Sequence, residues 1–225
     1  TDALEWSDSS RAAFFPMYAV WNNGIRVTAT GGEDSISSLH RSKLIGSFRT
    51  YVYTGAQGLS MEAWFAALVR GRAMVSSGPL IELQVDSALP GDTVSLASGC
   101  GSVVVTGQLR SIEKLEDVSL VCNGEEIERF PIRGDGTRLD LRYEMKINRS
   151  GWCHLRTEGL PQDRGVFDVN YAQAFTNPIW FEVDNQPIRN PGAAQYALDW
   201  ILSLIHISEP TRPLYISYAG FCLKK

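Results

Sequence analysis

The first third of the chain mixes strand-like and helix-like spacing of its apolar residues. Residues 25–30 place apolar side chains at every second position, and the aromatic and β-branched residues at 48–53 favour a second strand. Apolar residues at 61–69 then recur at helical spacing, after a serine that can cap a helix, Ser60, and before a glycine suited to a helix end, Gly71. Strand, loop, strand and helix in this order indicate an α/β layer or barrel.

Helical spacing stops after Gly78, and short strands separated by turn residues follow. The clearest alternation of apolar and polar residues runs over 139–147. Asn123 and Gly124 predict a two-residue hairpin turn, because a type I′ turn needs positive φ at both positions. Strands at this spacing, about seven or eight of them, predict an antiparallel β-sandwich.

These patterns divide the sequence into four segments. Residues 1–78 form the α/β part, 79–184 the sandwich, and 185–201 an exit loop and the start of a helix. Residues 202–225 resemble the conceptual translation of sequencing-adapter read-through, and we exclude them from the fold and the site. The alternative for this last segment is a genuine C-terminal amphipathic stretch.

Composition limits the classes of partner. The formal net charge is −4 without a basic cluster, which argues against a nucleic-acid partner. The longest apolar run, residues 12–21, is shorter than the roughly 20 residues of a membrane span. The cysteines show no Cys-x-x-Cys spacing, so no structural zinc site is predicted. Cys122 and Cys153 lie in strand-like segments and are expected to be small core residues.

A glycine-rich turn that follows the first predicted strand carries two acidic residues. Ligands and metals in α/β proteins bind where strands end, because the loops there converge. Asp34 is therefore a candidate carboxylate ligand for a divalent cation, and Glu33 a candidate hydrogen-bond partner of a neighbouring ligand. The alternative is a solvated turn in which Asp34 caps the following loop.

Three further polar residues are candidates for the site or its surroundings. His40 has the chemistry of a metal ligand or general base, and the alternative is an exposed loop histidine. Arg49 is a candidate clamp for an anionic group, and the alternative is an ion pair on the surface. His154 alternates with aromatic and basic neighbours on one strand, and we expect it at the surface or an edge of the sandwich.

Several short motifs, in this order and spacing, resemble one group of metallohydrolases. They lie at residues 22–35, 46–52, 68–79, 120–124 and 150–152. The sequence NNGIRVTATGGEDS and the later RTYV and SSGP segments resemble the last barrel motifs of the polymerase and histidinol phosphatase (PHP) superfamily. Within it, they resemble the carbaryl hydrolase-like (CehA/McbA-like) group.

The resemblance implies an α+β chain in two parts. It implies the C-terminal end of a PHP-type (β/α) barrel, followed by an Ig-like antiparallel β-sandwich. It also implies a parent enzyme in which metal-activated water attacks an ester, amide, carbamate or phosphoester of a small-molecule substrate. Zinc, manganese or iron would be the metal, with Asp34 as the matching ligand.

Departures from the family's pattern leave other functions open. Ile36 and Phe175 stand where the group often has histidine, and the sequence contains no His-x-His motif. We therefore expect this chain to hold no metal stably and to be inactive alone. One alternative is a non-catalytic sandwich module that binds carbohydrate or protein, which an exposed aromatic row would favour. Another is a degenerate barrel that never held metal.

Overall fold

The computed structural model describes residues 2–6, 14–32, 45–97, 101–161 and 172–208. The chain divides into two units, Thr1–Arg189 and Asn190–Lys225. Over the described ranges the helices are α1 (Phe14–Asn22), α2 (Met61–Val69) and α3 (Pro191–Ser208). The strands are β1 (Ala3–Trp6), β2 (Thr28–Gly31), β3 (Arg49–Val52), β4 (Ala73–Ser76), β5 (Leu80–Val85), β6 (Thr93–Leu96), β7 (Ser102–Arg110), β8 (Asp117–Cys122), β9 (Glu125–Pro131), β10 (Arg138–Lys146), β11 (Gly151–Glu158), β12 (Gln173–Thr176) and β13 (Ile179–Val183).

The larger sheet is built around β11. On one side, β11 pairs with β12 and β13, which β4 and β6 extend, and β3 pairs with β4 beyond. On its other side β11 pairs with β8, and β8 with β9. All of these pairs are antiparallel except the parallel pair of β6 and β13.

The smaller sheet has the order β10-β7-β5, and it packs face to face against the larger one. Its inward residues alternate along each strand, as Ile81, Leu83 and Val85 do on β5. They meet side chains of β8, β11 and β13 in one hydrophobic cluster that includes Leu120 and Leu155. The two sheets thus form a sandwich-like arrangement.

A second hydrophobic cluster covers the opposite face of the larger sheet. Helix α1 and the residues around β2 supply its outer half, and mostly aromatic side chains of the sheet supply the rest. Trp21 and Trp152 are fully buried, with ring centroids 5.1 Å apart. The larger sheet is therefore buried on both faces, which is unusual for an antiparallel sheet.

The prediction of a (β/α) barrel end within residues 1–78 is wrong. The strands that flank α2, β3 and β4, are antiparallel neighbours in the larger sheet, whereas a barrel needs them parallel. The Tyr53 amide donates to the Arg72 carbonyl at 2.9 Å, so α2 is an insertion between the arms of a hairpin. Gly71, at φ 83°, turns the chain back at the end of α2. Antiparallel sheets dominate the described residues, and no closed barrel forms among them.

The local turn predictions are confirmed. Ser60 caps α2, and its side-chain oxygen accepts from the Ala63 amide at 3.1 Å. Asn123 and Gly124 have φ of 53° and 91°, as a type I′ turn between β8 and β9 requires.

The second unit is described as the helix α3. It begins at Pro191, and the side chain of Asn190 caps it by accepting from the Ala193 amide at 3.0 Å. No helix among the described residues combines the length and apolar character needed to cross a membrane.

Candidate functional site

Of the four candidate site residues predicted from the sequence, Arg49 lies in the described part of the chain. Glu33, Asp34 and His40 lie outside the described residues. Arg49 is exposed on β3, with its guanidinium carbon 5.9 Å from the centroid of the Tyr51 ring. The contact is a cation–π pair between alternate residues of one strand face.

The first two strands form a parallel pair that ends just before Glu33. Trp6 of β1 lies opposite Gly31 of β2, so both strands end at the same edge. The carboxylate of Glu5 packs so closely on Gly32 that a Cβ there would lie 2.3 Å from its oxygen. No group of three or more His, Cys, Asp or Glu side chains suited to a metal occurs among the described residues.

Phe175, which stands where the resembling group often has histidine, is fully buried. Its ring packs edge-on against Phe14, with centroids 4.8 Å apart. This residue therefore contributes to the core between α1 and the larger sheet.

An open groove of about 670 Å³ lies in the first unit. It runs along β5, an edge strand of the smaller sheet. The first five residues of β5, Leu80 to Gln84, line the groove. The hairpin of β3 and β4 forms the facing wall. A volume of this size is typical of small-ligand sites.

Two tyrosines stand on the β3 wall of the groove. Tyr51 and Tyr53 are 38% and 61% exposed, and as alternate residues they project on the same side. Leu80 adds an exposed apolar side chain on the opposite wall. The groove thus presents aromatic and apolar surface to solvent.

A polar row crosses the smaller sheet beside these rings. Glu82, Gln108 and Asp140 are direct cross-strand neighbours on β5, β7 and β10, and all three are exposed. They line the groove together with Gln84 and Thr106. Carboxylate and amide groups here offer both hydrogen-bond donors and acceptors.

A short loop at one end of the groove is held in place by Asp92. One carboxylate oxygen accepts from Arg72 Nη2 at 2.7 Å, and the other accepts from the Leu89 amide at 3.0 Å. Leu89, Pro90 and Arg72 all line the groove. The ion pair fixes this end before any ligand enters.

His154 is fully buried, so the prediction of a surface or edge position is wrong. Its Nδ1 lies 3.1 Å from the carbonyl oxygen of Thr176, which can only accept, so Nδ1 carries the proton. Its Nε2 therefore accepts from the hydroxyl of Tyr18 at 2.8 Å. Burial, and then the charge of Arg156, lower the pKa of His154 to about 3, so the ring is neutral.

Tyr18 and Arg156 connect this histidine to the surface. The Tyr18 hydroxyl accepts from Arg156 Nη1 at 3.3 Å, and burial raises the pKa of Tyr18 despite that cation. Arg156 Nη2 lies 4.0 Å from a carboxylate oxygen of Glu126 on β9. With both ring nitrogens engaged, His154 is a structural group in this state.

Sequence reasoning missed the groove, although the alternation at β3 and β5 was visible. The alternation indicated which residues share a face of each strand, but not that β3 and β5 line the same groove.

Comparisons of the chain with protein-family models, curated proteins and solved structures found no match.

Proposed function

We propose that the first unit is a non-catalytic module that binds an oligosaccharide in the groove beside β5. The observation that carries the proposal is a single groove lined both by the exposed pair Tyr51 and Tyr53 and by a row of carboxylate and amide groups. A sugar ring has C–H groups on its faces and hydroxyls around its rim. Its faces suit the negative face of an aromatic ring, and its hydroxyls need mixed donors and acceptors.

The shape and edge of the groove support the same ligand class. Within the described ranges β7 is the strand partner of β5 on one side, and the other edge of β5, short of Val85, lies along the groove where ligand hydroxyls can approach its backbone. The ion pair of Arg72 with Asp92 holds the end loop in place, which lowers the ordering cost of binding. The groove's length along five consecutive residues suits a chain of sugar units better than a monosaccharide.

The Tyr53→Ala substitution should weaken oligosaccharide binding about fivefold, since an aromatic contact contributes roughly 1 kcal/mol. Tyr53→Phe keeps the ring and should bind nearly as well as the unchanged chain. Phe65→Ala on α2 removes another half-exposed ring outside the groove and serves as the matched control. Isothermal titration calorimetry against soluble β- and α-linked glucans, xylans, mannans and chitooligosaccharides measures the effect.

A second substitution tests the contribution of the polar row to binding independently of the tyrosine rings. Gln108→Ala removes the central amide between Glu82 and Asp140 and should also weaken binding. Failure of every oligosaccharide to bind would overturn the proposal. So would binding of an extended peptide along β5 with no affinity for sugars.

A second candidate is a metal-dependent hydrolase, favoured by the parallel ends of β1 and β2 directly before Glu33 and Asp34. Glu5 places a further carboxylate at that edge, against Gly32. Carboxylate oxygens suit hard divalent cations, and ligands bind at the carboxyl ends of parallel strands. The described residues alone do not complete a ligand set, so this candidate rests on the acidic pair Glu33 and Asp34 in the sequence.

Asp34→Asn should lower the affinity of the full chain for Zn²⁺ or Mn²⁺ by about tenfold or more, because a lost carboxylate ligand removes a direct metal contact. Glu125→Gln, on exposed β9, is the control for net charge. Metal titration followed by elemental analysis measures both variants. Equal metal content in Asp34→Asn and the unchanged chain would remove Asp34 from the site.

A further inference from the structure

Two cysteines lie directly opposite each other on neighbouring strands. Cys122 is the last residue of β8, and Cys153 is its register partner on β11. Both are free thiols. Cys153 belongs to the core between the two sheets and Cys122 packs against it, so both side chains project from the same face of the larger sheet.

The backbone hydrogen bonds next to the two cysteines show which type of antiparallel cross-strand pair they form. The Asn123 amide donates to the Trp152 carbonyl at 3.1 Å, one residue beyond the cysteine on β8 and one before it on β11. Cys122 and Cys153 are therefore a non-hydrogen-bonded pair. In such pairs the Cα atoms lie about 4.5 Å apart, within the roughly 4.4–6.8 Å that a disulfide spans.

The two thiols differ in exposure. Cys153 is fully buried, whereas Cys122 is partly exposed at the edge of the Asn123-Gly124 turn. A hydrogen bond with Cys122, and then burial, raise the pKa of the Cys153 thiol. A reagent therefore reaches Cys122 first, and Cys153 is placed to react with it afterwards.

We propose that Cys122 and Cys153 form a thiol–disulfide site, which closes to a cross-strand disulfide when a low-molecular-weight disulfide such as oxidised glutathione is present. The site is independent of the groove and of the proposed oligosaccharide binding. Closing it joins β8 covalently to β11, and it encloses β9 and β10 in a covalent loop.

The reaction is two successive thiol–disulfide exchanges. The Cys122 thiolate attacks one sulfur of oxidised glutathione and expels a glutathione thiolate, which leaves a mixed disulfide at Cys122. The Cys153 thiol loses its proton, and its sulfur attacks the Cys122 sulfur, expelling the second glutathione. Two protein thiols are oxidised by two electrons, and one glutathione disulfide is reduced to two thiols.

The test incubates the folded full chain in buffers of graded oxidised to reduced glutathione, traps it with acid and iodoacetamide, and maps tryptic peptides by mass spectrometry. Residues 115–129, with Cys122, and 150–156, with Cys153, fall in separate tryptic peptides. We expect them to appear linked, two hydrogens lighter than the sum, in the oxidising buffers and separate in the reducing ones.

Two single substitutions test the order of events. Cys153→Ser should accumulate a stable glutathione adduct at Cys122, because the resolving thiol is gone. Cys122→Ser should leave Cys153 unmodified in the folded chain and modified only in denaturant, which also shows that the reagent works. A wild-type chain that shows only the mixed disulfide, or neither product, would overturn the proposal.

Discussion

Replacing Asn177 by alanine is expected to destabilise the first unit by about 4 kcal/mol, a large part of the stability of a typical domain. Asn177 is fully buried between β12 and β13. Its Oδ1 accepts from the Ala29 amide at 2.7 Å. Its Nδ2 donates to the carbonyls of Ala29 and Ala73 at 2.9 and 3.0 Å.

The cost is high because the partners stay buried when the side chain is removed. The Ala29 amide and carbonyl would lose their side-chain partner without gaining water, since Ala29 itself is fully buried. Each such unsatisfied group costs about 1–3 kcal/mol. Asn177 also ties β2 to the base of β4, so its loss should loosen the layer that covers the larger sheet.

Urea unfolding followed by circular dichroism measures this effect, and amide exchange at Ala29 locates it. Gln186→Ala is the matched control, because that side-chain amide makes an exposed contact with the Asp184 carbonyl at 3.3 Å. Its expected cost is below about 0.5 kcal/mol. Similar losses of unfolding free energy in the two variants would show that the buried hydrogen bonds of Asn177 stabilise the fold no more than the exposed contact of Gln186 does.

Acidification from pH 7 to pH 5 is expected to cost about 2 kcal/mol through His154 alone. The ordinary pKa of histidine is 6.5, and burial lowers that of His154 to about 3 in the folded chain. Between these values the unfolded state binds a proton that the folded state does not. The contribution of His154 to the free energy of unfolding is therefore fully present above about pH 6.5, and it is lost as the pH drops from 6.5 towards 3.

The groups around the ring explain why the folded state resists this proton. Arg156 on β11 adds an unfavourable positive charge, and the Tyr18 hydroxyl donates to Nε2, the atom that would be protonated. Glu126 on β9 lies beyond Arg156, 4.0 Å from its guanidinium, and does not reach the ring. The carbonyl of Thr176 favours the charged ring, but burial outweighs it.

His154→Gln is the control, because glutamine keeps a donor and an acceptor but does not titrate. Its free energy of unfolding is measured by urea unfolding at several pH values. Between pH 7 and 5 it should fall by about 2 kcal/mol less than that of the unchanged chain. Nuclear magnetic resonance provides a direct check on the unchanged chain. A ring signal of His154 that titrates near pH 6.5 in the folded state would contradict the assignment.

The turns and caps could be predicted from the sequence because they depend on a few adjacent residues. Asn123-Gly124 tolerates the positive φ of its turn, and Ser60 supplies the cap of α2, whatever surrounds them. The expected sandwich is likewise visible as alternation in β5 and β10, whose inward residues are buried or half-buried. The resemblance to PHP hydrolases remains a prediction, although the barrel that it implied is wrong.

The direction of β4 could not be predicted locally. Strand, helix and strand have the same spacing whether the chain crosses over to a parallel neighbour or returns beside β3. The choice depends on long-range partners, and β4 pairs with β12, which lies about a hundred residues later. The same limit applies to the groove, which residues of β3 and β5 line together although about thirty positions separate them in the sequence.

The local conformations and the alternating faces of the strands follow from the sequence without tertiary information, and the acidic pair Glu33 and Asp34 can be read from it directly. Which faces are buried depends on the tertiary structure. A period of two separates the two sides of a strand but does not say which one meets solvent, and the larger sheet is covered on both. This is why His154, on a strand with ordinary alternation, lies in the core, and the pairing of β8 with β11 likewise places Cys122 beside Cys153.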